Sequence, residues 1–244
     1  MSYCTGLLAS AGGGVSLSYV WQNATAEAKV IIAVLLVFSI FAWSVMLSKA
    51  MQMRRATRLN RYFEQEFRGQ STVLAIYDRQ LPVDGCPLFA VYEEGCKDLE
   101  GHLKMEGGTR KQYLSLKSME HVKRTLEGAV ARESLRLESG LILLALAVSG
   151  APFLGLLGTV WGVMDAFGGV ARAAQAGQRA DLAAMAPGVS AALITTVAGL
   201  LVAIPSMFGY NYLVHNLRVQ SVELDNFAQS LASRMETEFL KDDE

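Results

Sequence analysis

Hydroxyl side chains on two apolar stretches are the groups in this sequence best placed to do chemistry. Thr159 lies in the uncharged stretch 140–164, and Thr195 and Thr196 lie in a second one that begins at Leu182. A threonine hydroxyl both donates and accepts hydrogen bonds, so it can hold a carboxyl group or a water chain without carrying a charge. Because neither stretch has an ionisable residue at its middle, a proton path here would need a titrating group from a partner chain.

Small residues accompany these hydroxyls on one face of each predicted helix, at about 100° per residue. The two sets are Ala151, Gly155, Gly158, Thr159 and Gly162, followed by Gly188, Ala192, Thr195, Gly199, Ala203 and Ser206. Such faces let two helices pack closely within one chain, or they line a narrow polar path in an assembly of several copies. The spacing alone leaves both interpretations open.

Three uncharged runs must carry and position these faces. Residues 30–47, 140–164 and 183–214 are each long enough for a helix that crosses a hydrocarbon core of about 30 Å. Charged residues make up 18% of the chain and apolar types 52%, a balance far from that of a soluble domain, in which about 25% of residues are charged. The sequence therefore predicts an all-α membrane protein with three transmembrane helices and long helical extensions.

Basic residues predict the orientation of these spans. Lysine and arginine cluster after the first span and before the second, at Lys49, Arg54, Arg55, Arg58, Arg61, Lys123, Arg124, Arg132 and Arg136. By the positive-inside rule, segment 48–139 and the C-terminal helix 215–244 are predicted to be cytoplasmic. The N-terminal segment 1–29 and the loop 165–182 are then predicted to be periplasmic.

Apolar periodicity predicts that the cytoplasmic segments are helical. A stripe at intervals of three and four precedes the second span, at Leu116, Met119, Val122, Leu126 and Ala129. This helix is predicted to run into the second span without a break, because no proline interrupts it. A second stripe, at Leu217, Leu224, Phe227 and Leu231, predicts that the third span continues to near Phe239. Turns are predicted at 84–87 and at Gly107-Gly108.

Other candidate sites are weaker. Asp165 lies at the outer end of the second span, where a place at the mouth of a path is favoured over a direct relay role. Cys86, Cys96 and His102 lack the close ligand pairs of zinc sites, so neither a metal site nor a cofactor is predicted. The sequence contains no common nucleotide-binding or hydrolase motif, and its net charge of −1 gives no general attraction to nucleic acid. An enzyme is not predicted.

Two segments resemble the paired signature of the TolQ/ExbB branch of the MotA/TolQ/ExbB proton-channel family. They are APFLGLLGTVWGVMDAF at 151–167 and APGVSAALITTVAGLLVAIPSMFGYN at 186–211. The resemblance implies an inner-membrane homopentamer, whose second and third spans line a pore around a dimeric single-span partner similar to ExbD or TolR. In that family an aspartate of the partner carries the proton. The implied function is conversion of the proton motive force into mechanical work on the envelope or outer-membrane transport, through a protein similar to TonB or TolA.

The resemblance also assigns roles to individual residues. Thr159 and Thr196 match the family's pore threonines, and Thr195 is an extra hydroxyl beside them. The pore-lining small face would comprise Gly155, Gly158, Gly162, Ala192, Gly199, Ala203 and Ser206. Asp165 matches a position at which the family often has asparagine or another polar group.

One position departs from the family pattern and keeps other functions open. Ala191 stands where the family often has glutamate. This departure supports an alternative function, a non-conducting membrane scaffold that assembles a partner protein. An unrelated three-span enzyme or transporter is a third hypothesis, for which the sequence shows no catalytic or substrate-binding motif.

Overall fold

The computed structural model describes residues 26–79, 83–104, 113–177 and 182–240. Residues 1–25 of the predicted N-terminal segment, the predicted turn Gly107-Gly108 and residues 178–181 of the predicted loop lie outside the described residues. In the described ranges the α-helices are α1 (Ala26–Arg68), α2 (Pro87–Leu103), α3 (Leu116–Glu138), α4 (Leu141–Gln175) and α5 (Leu182–Phe239). Two short 3-10 helices, Val73–Ala75 and Tyr77–Arg79, precede α2, and Leu114 forms an isolated parallel bridge with Leu240. The predicted all-α fold is confirmed.

The described chain divides into two compact units. We call residues 26–44, 143–177 and 182–210 the apolar unit, and residues 45–79, 83–104, 113–142 and 211–240 the core unit. Helices α1, α4 and α5 are long and apolar enough to cross a membrane, which confirms the three helices predicted from sequence. Each is longer than the roughly 20 residues that a hydrocarbon core needs.

Large apolar side chains cover the outside of the apolar unit. Ile40 on α1, Phe153 on α4 and Leu201 on α5 are exposed at 70%, 71% and 69%. A helix satisfies its own backbone polar groups, so it is stable in lipid. In water, an exposed apolar surface of this size would be unfavourable. The unit therefore has the surface expected of membrane-spanning helices.

The core unit is built around a large hydrophobic cluster. An aromatic group at its centre consists of Phe63, Phe67, Phe89, Tyr92 and Phe227, whose neighbouring ring centroids are 5.4 to 6.2 Å apart. Most of the predicted stripe on α3 is buried against this cluster, at Met119, Val122, Leu126 and Ala129. Leu116 is the exception, because it begins α3 and is 63% exposed.

Helix α2 begins at the predicted turn. Gly85 has a φ of 85°, a conformation that glycine adopts at little cost, and Pro87 occupies the first turn. The N-cap residue makes no side-chain cap; instead Asn60 Oδ1 on α1 accepts from the backbone N–H of Leu88 at 3.2 Å. A side chain from another helix thus fixes where α2 starts.

A break separates α3 from α4, so the predicted continuous helix is wrong. Ser139 and Gly140 form a turn, and Gly140 has a φ of 84°. Lys49, only 9% exposed, donates from Nζ to the carbonyl oxygen of Leu137 at 3.3 Å and to Ser139 Oγ at 3.4 Å. A helix C-terminus leaves carbonyl groups without intrahelical partners, and a lysine ammonium satisfies and stabilises them.

Two other helix ends can be compared with the predicted ones. Helix α5 ends at Phe239, as predicted, and Leu114 N donates to the carbonyl oxygen of Phe239 at 2.8 Å. Helix α4 continues past the predicted end of the second span at 164 and ends at Gln175. The first part of the predicted loop 165–182 is therefore helical.

Candidate functional site

The predicted site residues lie where α4 and α5 approach each other through glycine. A methyl group on Gly158 would lie 2.7 Å from Cβ of Thr195, and one on Gly162 would lie 2.7 Å from Cβ of Ala192. A methyl group on Gly199 would lie 2.6 Å from the carbonyl oxygen of Ala151. All three distances are too short for real Cβ atoms, so only glycine permits this approach, as in close membrane helix pairs.

Thr195 lies inside this contact. Its side chain is fully buried, and Oγ1 donates to the carbonyl oxygen of Ala192 at 2.6 Å or to that of Gly155 at 3.1 Å. The first bond is local to α5, whereas the second joins α5 to α4. Thr195 therefore connects the two helices and has no surface within the described chain for an outside ligand.

Thr159 and Thr196 form a hydroxyl pair at the edge of the same contact. Their Oγ1 atoms are hydrogen-bonded to each other, and both residues are only half-buried. Each hydroxyl also lies within hydrogen-bonding distance of the Gly155 carbonyl oxygen, Thr159 at 3.2 Å and Thr196 at 3.1 Å. The structure thus brings together the two threonines that the sequence places on separate spans.

The Gly155 carbonyl cannot accept from every donor around it. A carbonyl oxygen has two lone pairs, and in an α-helix it also accepts the N–H four residues on, here that of Thr159. Three hydroxyls, those of Thr159, Thr195 and Thr196, then compete for one remaining lone pair. Thr195 can turn to Ala192, which leaves the half-buried pair with hydrogen-bonding capacity for a further partner.

The remaining small-face residues make contacts inside the chain. Ala203 packs with Ile31, Leu35 and Ala151, and Ser206 Oγ donates to the Val202 carbonyl oxygen at 2.7 Å. These contacts, like those of the glycines, agree with the close-packing interpretation of the small faces. A role in lining a pore between copies of the chain stays a prediction.

Ala191, the position that departs from the family pattern, is buried inside the apolar unit. It is 3% exposed and packs against Ala28 of α1, with Ile194 beside them. A carboxylate here would be desolvated among apolar groups, which is costly unless a partner group satisfies it. The small side chain matches its surroundings.

Asp165 lies on the exposed surface of α4. Its nearest charged partner is Arg172, with Nη2 3.8 Å from Oδ1, and both side chains are substantially exposed. Within the described apolar unit, Glu27 and Asp165 are the only acidic residues. At about 1.5 Å per residue, Asp165 is some 9 Å along the helix from Thr159, so the two are not direct neighbours along α4.

The structure does not bring Cys86, Cys96 and His102 together, the set for which the sequence predicts no metal site. Cys86 precedes α2 and His102 lies in its last turn, about 24 Å away along the helix. Burial raises the pKa of the Cys96 thiol to about 12, and only a thiolate is a good ligand and nucleophile. Both thiols are structural parts of the hydrophobic cluster.

Sequence reasoning did not predict the Gly155 carbonyl as the acceptor shared by the three hydroxyls. The spacing of Gly155 and Thr159 was a usable signal, because a threonine hydroxyl often bonds the carbonyl four residues earlier. The bonds from Thr195 and Thr196 depend on the pairing of α4 with α5. No local pattern could have indicated them.

Comparison of the sequence with known proteins identifies a family. The sequence profile of the MotA/TolQ/ExbB proton channel family matches residues 99–226. The Tol-Pal system protein TolQ of Pseudomonas aeruginosa is 32% identical over 193 residues, covering 78% of this chain and 79% of that protein. The biopolymer transport protein ExbB of Neisseria meningitidis is 28% identical over 205 residues, covering 84% and 90%. That of Xanthomonas campestris is 42% identical over 130 residues, covering 53% and 50%.

This chain belongs to the MotA/TolQ/ExbB proton channel family. It is therefore a multi-pass membrane protein and a component of a transport channel, not an enzyme. Both TolQ and ExbB are among its relatives at comparable identity over most of the chain.

Proposed function

We propose that this chain is the channel-forming subunit of an inner-membrane motor that converts the proton motive force into mechanical work on the cell envelope or outer-membrane transport. The observation that carries the proposal is the half-buried Thr159–Thr196 hydroxyl pair over the Gly155 carbonyl. Membership of the proton channel family supports it. The names of the relatives, a Tol-Pal system protein and a biopolymer transport protein, supply the two candidate processes.

The chemistry of the pair fits a proton carrier supplied by another chain. The described apolar unit holds carboxylates only at Glu27 and Asp165, and both of these residues are exposed. A partner of the ExbD or TolR kind, with one acid-bearing helix, would present its carboxyl group to Thr159 and Thr196. The hydroxyls accept from the protonated acid and donate to the carboxylate, so both protonation states are stabilised without a fixed charge.

The assembly is proposed as a pentamer around a dimeric partner. The exposed apolar surface of the apolar unit supports a lipid environment, and the half-buried threonine pair supports an outward-facing polar contact.

The arginines at 54, 58 and 61 support a membrane orientation for the chain. They are exposed, and the positive-inside rule favours a cytoplasmic location for them. The N-terminus is then periplasmic, and a protein of the TonB or TolA kind would receive the force.

Proton flux through the reconstituted complex tests the pore role. The complex with its partner is placed in vesicles that contain a pH-sensitive dye, and flux is measured under an imposed potential. Thr159→Val and Thr196→Val should each lower flux about tenfold or more, since a hydrogen bond to a charged group contributes about 1.5–3 kcal/mol. Thr159→Ser keeps the hydroxyl and should retain most of the flux.

Ser149→Ala is the matched control on the same helix. Its hydroxyl bonds the Ala145 carbonyl oxygen at 3.0 Å and is exposed, so its loss should leave flux unchanged. Native mass spectrometry of each variant checks that the oligomer and its single-span partner remain together. Normal flux in both valine variants, with intact assembly, would contradict the pore role.

The scaffold alternative keeps one observation in its favour, the burial of Ala191 against Ala28 without a carboxylate. A scaffold would assemble with the same partner and show no flux in the wild-type complex. Flux above that of protein-free vesicles, abolished by neutralising the partner's membrane acid, would exclude it.

A further inference from the structure

A cluster of imidazole and carboxylate side chains joins α2 to α3 in the core unit. The ligand atoms of Asp98, His102 and His121 all lie within 4.8 Å of one another. We propose that these three residues bind one divalent transition-metal ion of the zinc class. This inference rests on the core unit alone and does not depend on the proposed function.

The geometry needs only a small adjustment. Ligand atoms about 2.0–2.2 Å from a tetrahedral zinc ion are about 3.4 Å apart, and Asp98 Oδ1 lies 3.9 Å from His102 Nε2. The rings of His102 and His121 have centroids 5.7 Å apart. His121 is exposed and His102 half-buried, so both rings can rotate to close the site.

The surrounding structure orients the carboxylate. Thr125 Oγ1 donates to Asp98 Oδ2 at 3.0 Å, which leaves Oδ1 directed towards His102. Asp98 and His102 are one turn apart on α2, whereas Thr125 and His121 are one turn apart on α3. Such outer hydrogen bonds fix ligand orientation in metal sites.

The framework that carries the ligands is tightly packed. Gly95, three residues before Asp98, lies directly against the side chain of Leu126, which is fully buried. The two helices therefore hold a defined distance where the cluster lies. Rigid elements of this kind make more precise sites than loops do.

The ligand set selects the kind of ion. Two imidazoles and one carboxylate favour zinc and its neighbours over magnesium or calcium, which prefer oxygen ligands throughout. His102 lies in the last turn of α2, where the partial negative charge of the helix end favours a cation. A bound ion would connect the last turn of α2 to α3 and leave a coordination position for water.

Zinc titration of the whole complex tests the proposal. The chelator-treated complex is titrated with ZnCl₂ by calorimetry in a mildly alkaline buffer, because metal ligands must be deprotonated. One zinc per chain is expected, and His102→Ala and His121→Ala should each weaken binding more than about 100-fold, beyond the 10–100-fold typical of an outer-shell loss. The chain has 3 histidines, so His215→Ala is a matched control that should bind as the wild type does.

The orienting threonine gives a graded second test. Thr125→Val should weaken zinc binding about 10–100-fold. Thr237→Val is its control, because that hydroxyl bonds the Ser233 carbonyl oxygen on α5 at 3.0 Å and should not affect binding. Zinc should also raise the thermal midpoint of the wild type and of His215→Ala, but not that of the double variant lacking His102 and His121.

Two outcomes would overturn the site. Unchanged zinc affinity in the double variant would mean that other groups bind the ion, and no binding at all by the wild type would mean that the cluster is no site. Metal-free thermal midpoints show whether each variant is folded. Because His121 is exposed, His121→Ala gives a variant in which the core is untouched.

Discussion

The apolar unit and the core unit pack their helices in opposite ways. In the apolar unit, α4 and α5 meet at Gly158 and Gly162, where backbone and small side chains touch directly. In the core unit, helices meet through large side chains such as Tyr92 and Leu126. Burying leucine between helices gains no hydrophobic free energy in lipid, so close packing and hydrogen bonds must hold membrane helices together. In water, the burial of apolar side chains is itself favourable.

Polar groups follow the same division. In the apolar unit, hydroxyls of Thr195 and Thr196 bond a carbonyl oxygen of the neighbouring helix. In the core unit, long side chains bond the free carbonyl groups at helix ends. Arg234 donates to the carbonyl oxygens of Phe67 at 3.2 Å and Gln70 at 2.8 Å, near the end of α1. The comparison predicts that removing volume harms the core unit, and that adding volume harms the apolar unit.

Truncating a large core side chain should have the largest effect. Leu126 is 1% exposed, and Leu126→Ala should lower the free energy of unfolding by about 2–5 kcal/mol through lost burial and a residual cavity. Alkylation of Cys86 and Cys96 during denaturant unfolding, in a Cys4→Ser background, reports opening of this unit. Leu135→Ala on the same helix, at a position 66% exposed, should change stability by less than about 0.5 kcal/mol.

Adding one methyl group at the α4–α5 contact of the apolar unit should have the second-largest effect on stability. Gly158→Ala would force α4 away from Thr195, at a cost of about 1–3 kcal/mol for overpacking. Gly150→Ala on the same helix is the control: nothing lies within 4 Å of its added methyl group, so it should instead stabilise the helix by about 0.5–1 kcal/mol. Thermal unfolding followed by tryptophan fluorescence measures both, since Trp43 and Trp161 lie in the apolar unit. Equal effects of the two substitutions would contradict the close contact.

Alkaline pH should weaken the core unit through its buried thiol. Burial raises the pKa of Cys96 to about 12, whereas an unfolded cysteine loses its proton near pH 8.5. Between these values the unfolded chain binds fewer protons, so stability falls as pH rises, by at most about 1.4 kcal/mol per pH unit from this group. Cys96→Ala should show a shallower alkaline slope in denaturant titrations. An unchanged slope would show that the thiol stays buried in both states or ionises normally in the fold.

A surface ion pair in the core unit should contribute least. Lys123 Nζ lies 2.6 Å from Glu236 Oε1 and joins α3 to α5, but both side chains are partly exposed. A double-mutant cycle with Lys123→Met and Glu236→Gln should give a coupling of about 0.2–1 kcal/mol. Because salt screens exposed charges, the coupling should shrink further in high salt, and a coupling that grows would contradict this assignment.

The sequence predicted those features that depend on local pattern. Three apolar helices, the end of α5 near Phe239 and the buried positions from Met119 to Ala129 follow from periodicity, which the structure confirms. These features need no knowledge of which helix packs against which.

Features that depend on distant partners could not be predicted. The break at Gly140 coincides with a cap from Lys49, which is about 90 residues earlier in the chain, and the start of α2 depends on Asn60. Likewise, His102 and His121 come together only because α2 and α3 pack side by side. Only the pairing of helices distinguishes the buried Thr195 from the half-buried Thr196.

The contact between Gly158 and Thr195 means that the side chain tolerated at position 158 depends on the one at position 195, and the reverse. A side chain larger than hydrogen at 158 must occupy the space now filled by Thr195 Cβ, 2.7 Å from where a new methyl group would stand. A genetic selection that begins with a defective Gly158→Ala chain should therefore recover second-site suppressors at position 195, with glycine among them because it alone lacks the Cβ atom that clashes. The same exchange of volume should appear as covariation of these two positions across related sequences.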